Sequence, residues 1–166
     1  MRTAEEKIVA REAMPGLRRQ LHEAGGKLVF TNGCFDLLHV GHLHYLEFAR
    51  GQGDALCVGV NSDASVRRNK GPERPFIEER RRLEMLAGLE CVDCVVLFDE
   101  DEPRALIEEI VPDVLVKGKD WAHYVSGREC VEAHGGRVVL ADMVEGFSTT
   151  ALIRRIRGEG EGSRAD

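Results

Sequence analysis

Leu28-Val29-Phe30-Thr31-Asn32-Gly33-Cys34-Phe35-Asp36-Leu37-Leu38-His39-Val40-Gly41-His42 decides the fold: an apolar run, a short polar stretch, and then two histidines three residues apart. A strand running into a phosphate-sized loop and a histidine-bearing helix points to chemistry on a nucleoside triphosphate. Residues three apart on a helix lie side by side, so both imidazoles can meet one ligand. Gly41, between them, lets a phosphate chain come close to the backbone. Residue types alone leave a second reading open, in which the histidines cap a helix or bind a metal together with His44.

Outward from that stretch, apolar runs at 28–30, 55–60, 91–98, 114–116 and 138–140 alternate with amphipathic segments at 41–50, 78–86, 103–111, 126–133 and 149–157. Runs that are apolar on both faces and separated by helices imply a parallel sheet covered on both sides. The fold class expected is therefore α/β, a single doubly wound, Rossmann-like, five-stranded parallel sheet with helices on both faces. In such sheets ligands sit at the carboxyl ends of the strands, near the switch in strand order. Ahead of this lies an N-terminal helical extension (1–26), a helix over 4–24 interrupted at Met14-Pro15-Gly16 and ended at Gly25-Gly26. The core domain is expected over 27–157. A Gly- and Glu-rich tail (158–166), without apolar residues, is expected to be disordered.

The 166 residues suit one domain that needs no disulfide or metal staple. A formal charge of -6 and no dense basic stripe argue against a nucleic-acid partner. No run approaches the ~20 apolar residues of a membrane span, and the charged N-terminus has no signal-peptide core, so no membrane partner is expected and the cytoplasm is the expected compartment. Cys91-Val92-Asp93-Cys94 precedes its strand rather than following one, and no second such pair completes a zinc site, so the cysteines read as structural thiols.

Four further groups gather at the expected strand ends. Thr31, Asn32 and Gly33 offer a hydroxyl, an amide and open backbone N–H groups to phosphate oxygens, although no Walker or dinucleotide fingerprint is present. After the second strand, Asp63 either helps a cation or caps a helix, and a Gly/Pro-punctuated mobile loop brings Lys70 to a polyphosphate or simply into solvent. After the fourth strand, Lys117, Gly118 and Asp120 suit a base or ribose, with a helix N-cap as the alternative for Asp120. Ser148, Thr149 and Thr150 open the last helix with more hydroxyls than capping requires, which suits a triphosphate tail.

Together these residues resemble the cytidylyltransferase-like nucleotidyltransferases with the HxGH signature. Within that family the chain is most similar to the bacterial D-glycero-β-D-manno-heptose 1-phosphate adenylyltransferases, free-standing or as the second domain of a bifunctional kinase. The likeness runs from about Lys27 to Arg157 through Phe30-Thr31-Asn32-Gly33-Cys34-Phe35-Asp36, His39-Val40-Gly41-His42, Val60-Asn61-Ser62-Asp63-Ala64-Ser65-Val66, Lys70-Gly71, Arg74-Pro75, Leu115-Val116-Lys117-Gly118 and Glu145-Gly146-Phe147-Ser148-Thr149-Thr150. The resemblance implies a nucleotidyltransferase domain over 27–157 that moves AMP from ATP, with Mg²⁺, to a heptose 1-phosphate and releases pyrophosphate. It implies His39 and His42 on the α-phosphoryl group and departing pyrophosphate, and Lys70 on transition-state charge. Thr31, Asn32, Gly33 and Phe35 would line the nucleotide site, Lys117, Gly118 and Asp120 the base and ribose, and Ser148, Thr149 and Thr150 the β- and γ-phosphates. Asp36, Asp63 and Arg82 are weaker candidates, no residue is assigned as a resident metal ligand, and a homodimer is expected because relatives are commonly dimers. Ile77-Glu78 stands where the heptose enzymes often carry Asn-Pro. Lys119-Asp120-Trp121 looks more like the Asp-Asp-Trp of glycerol-3-phosphate cytidylyltransferases, which makes cytidylyl transfer to a small phosphorylated alcohol the rival reading. Met143, in place of that group's arginine, points back to the heptose type.

Overall fold

A computed structural model describes residues 2–142 and 149–158. Its centre is one parallel sheet of β1 (Leu28–Gly33), β2 (Ala55–Asn61), β3 (Cys94–Phe98), β4 (Val114–Gly118) and β5 (Arg137–Ala141), ordered β3-β2-β1-β4-β5. The helices are α1 (Ala4–Lys7), α2 (Met14–Glu23), α3 (Val40–Arg50), α4 (Asp63–Lys70), α5 (Glu79–Ala87), α6 (Arg104–Ile110), α7 (Arg128–Ala133) and α8 (Thr149–Ile156). The expected five-stranded, doubly wound architecture is the one found.

Strand residues alternate between faces, and the core divides accordingly. Val29, Leu56, Val58, Val60 and Val95 pack with Leu46 and Ala49 of α3 and Leu83 and Leu86 of α5. Leu28, Phe30, Cys57, Val96 and Leu115 face the other way, onto Met14 of α2, Leu106, Ile107 and Ile110 of α6, and Val131 of α7. Phe30 is fully buried, and truncating such a ring to alanine costs about 3–5 kcal/mol. All five cysteines are free thiols, with Cys57 and Cys94 buried in the second layer.

Three local expectations change. The N-terminal segment breaks at 8–10 rather than at Met14-Pro15-Gly16: Ile8 bridges Val95 of β3, and Pro15 sits in the first turn of α2, where its missing N–H costs nothing. Arg11 ties the segment down through Glu100 and Glu109, each at 2.7 Å. Residues 67–70, expected in a mobile loop, belong instead to α4, because the Ser62 hydroxyl accepts from the Ser65 N–H and caps that helix. Gly71, at φ 100°, ends that helix in a conformation closed to other side chains. Finally, Thr31-Asn32-Gly33 belong to β1, paired with β2 through Gly33 and Val60, so the loop proper begins at Cys34.

Shorter shifts have local causes as well. A turn over 89–93, in which the Val92 N–H donates to the Leu89 carbonyl, delays β3 to Cys94. The left-handed φ of 83° at Gly127 delays α7 to Arg128.

Candidate functional site

The strand order reverses at β1, which lies between β2 and β4. Beyond the pairs Val29–Val114 and Phe30–Leu115 the ladder between β1 and β4 lapses, and side chains take over the register. At the next position the Thr31 hydroxyl lies 2.7 Å from the Tyr45 hydroxyl, which donates to the Val116 carbonyl at 3.1 Å. One pair further on, Lys117 Nζ donates to Asn32 Oδ1 at 2.6 Å. A cleft of about 250 Å³ opens at this edge, walled by Asn32, Gly33, His39, His42, Lys117, Gly118, Asp120 and Thr149. Residues from four separate stretches of sequence thus meet at the carboxyl end of the sheet.

His39 and His42 stack there, ring centroids 3.9 Å apart and planes 27° from parallel. His39 is the N-cap of α3 rather than part of it, in extended conformation, and His42 lies in the first turn. The His39 side chain makes no capping hydrogen bond, and both Nδ1 atoms are buried without a partner among the described residues. Burial pushes the His39 pKa down; burial and then the neighbouring His39 push that of His42 down to about 4. At neutral pH the pair is uncharged. Because neither Nδ1 meets an acceptor, we assign the proton of each ring to Nε2. Two neutral N–H donors of this kind suit a phosphoryl group whose charge grows during reaction.

Phe35, expected to line the site, lies on the cleft wall and against His42. It is buried with φ at 48°, a left-handed conformation rare for a bulky residue, and its ring lies 5.3 Å from that of His42. Gly33 admits this ring, since a Cβ there would lie 3.0 Å from the Phe35 edge.

The weaker candidates turn out to frame the loops. Asp36 is buried, taking Arg74 Nε at 2.6 Å and the backbone N–H groups of Phe76 and Ile77 at 2.8 and 2.9 Å. Arg82 is 1% exposed and donates to the carbonyls of Ile77 and Cys34 and to Asp63 at 2.9, 2.6 and 2.8 Å. Neither wall of the cleft includes Asp36, Asp63 or Arg82. Asp63 is not the cap of α4, and Asp120 is not a cap either, because the 3₁₀ turn Lys119–Trp121 begins from Gly118 without a side-chain bond. Thr31 is fully buried against Tyr45 and offers no hydroxyl to the cleft.

Lys117 is half-buried; desolvation lowers its pKa to about 8, against the opposing pull of Asp120, Cys34 and Glu102. Lys70, at the C-terminal end of α4, lies outside this cleft in a second hollow, with Thr150. Ser148 lies outside the described residues. The sequence reading missed Tyr45 and Trp121, both on the cleft wall. Tyr45 follows His42 by three residues on the same helix, and that spacing was the available signal. Among the described residues no group of three or more His, Cys, Asp or Glu side chains converges as metal ligands, and no helix is long and apolar enough to cross a membrane.

Comparison with known proteins agrees with the fold. Residues 30–155 match the family described as Cytidylyltransferase-like. Bifunctional protein HldE of Citrifermentans bemidjiense is 60% identical over 136 residues, 81% of this chain and 28% of that protein. Bifunctional protein HldE of Geotalea uraniireducens is 55% identical over 155 residues, 93% of this chain and 32% of that protein. The chain therefore spans about a third of the length of the curated relatives it matches. Among solved structures, the lipopolysaccharide core biosynthesis protein from Thermoplasma volcanium GSS1 superposes with a TM-score of 0.59 at 31% identity, covering 72% of this chain and 98% of that one.

Proposed function

The chain belongs to the cytidylyltransferase-like family, and on that premise we propose that it is an adenylyltransferase. It transfers AMP from ATP to a heptose 1-phosphate, forming ADP-heptose and pyrophosphate. The observation that carries this reading is the stacked, uncharged His39–His42 pair with unpartnered Nδ1 atoms on the wall of the switch-point cleft. The identity to the HldE proteins supports the choice of donor and acceptor within the family.

In this reading ATP enters as its Mg²⁺ complex, a substrate rather than a resident metal. The acceptor phosphate attacks the α-phosphorus in line, with no covalent enzyme intermediate. His39 and His42 donate from Nε2 to the α-phosphoryl oxygens and the departing pyrophosphate. Asn32, Gly33, Lys117, Gly118 and Asp120 bind the nucleotide, Thr149 and Thr150, with Ser148, take the β- and γ-phosphates, and Lys70 adds positive charge from the adjoining hollow. The same reading takes the chain as a cytoplasmic homodimer with its nucleotidyltransferase domain over 27–157, expectations that rest on the resemblance.

A matrix of ATP and CTP against heptose 1-phosphate and glycerol 3-phosphate, followed by pyrophosphate release, tests the reading. Release from ATP with the heptose supports it. Turnover of CTP with glycerol 3-phosphate, toward which Asp120-Trp121 leans, replaces it with the cytidylyl rival. Tight ATP binding without turnover of any pair indicates a non-catalytic nucleotide-binding module.

A further inference from the structure

Tyr45 stands three residues after His42 on α3, and its hydroxyl joins that helix to two strands that separate at the cleft. On their outer sides these strands stay paired, β1 with β2 as far as Gly33–Val60 and β4 with β5 as far as Gly118–Ala141. Between β1 and β4 themselves the pairing stops at Phe30–Leu115.

The direction of the bonds across that gap follows from the donors. Tyr45 gives its one hydroxyl proton to the Val116 carbonyl at 3.1 Å, so the Thr31 hydroxyl, 2.7 Å away, donates to the Tyr45 oxygen. Thr31 and Val116 are both fully buried and occupy the next position of the lapsed ladder. A relay from Thr31 through Tyr45 to Val116 thus stands where a backbone pairing would close the sheet. Burial pushes the Tyr45 phenol upward, which keeps it a donor across the range in which Lys117 titrates.

One position further on, Asn32 and Lys117 meet at 2.6 Å on the cleft wall, which the Tyr45 ring also lines. A relay through a side chain spans more distance than a direct pairing, so the phenol sets how far apart β1 and β4 stand. It also fastens α3 to the sheet one turn past His42.

We propose that Tyr45 is a positioning residue of this site: its hydroxyl holds β1 and β4 at the separation that aligns Asn32 with Lys117, and it fixes His42 relative to them. That the cleft takes a nucleotide rests on the adenylyl-transfer reading; the strand separation does not.

Competitive labelling of the full chain with acetic anhydride, read at Lys117 by mass spectrometry from about pH 6 to 11, tests this without a nucleotide. In the parent, Lys117 is expected to titrate near 8, below the ordinary 10.5, because desolvation outweighs the pull of Asp120, Cys34 and Glu102. Tyr45→Phe keeps the ring and removes both bonds. With the gap released, water reaches Nζ, and the midpoint is expected to move up by about one unit or more. Thr31→Val removes one bond and should move it the same way by less, while Thr31→Ser, which keeps the hydroxyl, should restore the parent value. ATP affinity by calorimetry should fall about threefold or more in Tyr45→Phe, as Asn32 and Lys117 lose alignment. A lowered urea midpoint with an unchanged Lys117 titration makes the phenol a packing group only and overturns the proposal. Should Tyr45→Phe not fold, an unchanged titration in Thr31→Val overturns it instead. A parent chain that binds no ATP, or binds it and releases no pyrophosphate, refutes the adenylyltransferase reading, and a Lys117 shift in Tyr45→Phe then still upholds the positioning role.

Discussion

Lys117 Nζ donates to Asn32 Oδ1 at 2.6 Å, two residues beyond the last backbone pairing of β4 with β1. Both residues line the cleft, and the bond engages the carbonyl end of the Asn32 amide, leaving the NH₂ end as the group available to a ligand. Desolvating the half-buried Lys117 ammonium costs the fold, and it lowers the pKa of that group to about 8.

Lys117→Met is therefore expected to weaken nucleotide binding while stabilising the chain. The charged form is disfavoured in the fold, so the penalty grows as pH falls from the ordinary lysine value of 10.5 to about 8 and is complete below that. It amounts to at most about 3 kcal/mol at neutral pH, offset by about 1 kcal/mol for the lost bond to Asn32. The variant's Tm should rise by a few degrees at pH 7. In the parent chain ATP affinity should fall as pH rises through about 8, and in Lys117→Met that slope should vanish. A parent affinity that is flat from pH 7 to 9 contradicts the assignment.

Removing Arg82 is expected to act on stability rather than on chemistry. Arg82→Leu strands two carbonyls and Asp63 in a buried setting, a loss of about 3–5 kcal/mol, readable as a lowered urea midpoint. The fraction still folded should bind ATP with little change. A normal midpoint with abolished ATP binding would return Arg82 to the site.

Gly33→Ala tests the support beneath the histidines. Its Cβ would press on the Phe35 ring at 3.0 Å, and that ring buttresses His42. The expected result is a kcat lowered more than the affinity for ATP, since the rings shift while the binding groups stay. Equal kcat in both proteins shows that Phe35 gives way without moving His42.

Acid stability should carry the mark of His42. Its folded pKa of about 4 lies below the ordinary 6.5, so its contribution is intact above 6.5 and is lost as pH falls toward 4. Between pH 7 and 5 the urea midpoint of the parent should drop further than that of His42→Gln. Parallel losses in the two proteins contradict it.

The architecture was legible because strands buried on both faces read as apolar runs and the charged segments between them as helices. The adjacency of His39 and His42 was legible from their spacing, although His39 caps α3 in extended conformation instead of lying on it. What escaped was decided by tertiary partners. Asp36 and Arg82 look like site residues in the chain, yet each is claimed by backbone groups about forty or more positions away, Asp36 by the Phe76 N–H and Arg82 by the Cys34 carbonyl. Thr31 reads as a phosphate ligand, and its burial against Tyr45 depends on where α3 crosses the sheet. Residues 67–70 read as loop because their charged side chains hide the helix that the Ser62 cap starts.

In the proposed reaction the stacked histidines act on the transferring phosphoryl group. Turnover of His42→Ala, measured as pyrophosphate release at saturating ATP and heptose 1-phosphate alongside its ATP affinity, is the decisive measurement of that role. The expected result is kcat down by about 10²–10³ with a much smaller change in affinity, as for other lost transition-state donors. Near-normal turnover, or a loss confined to ATP binding, would contradict it.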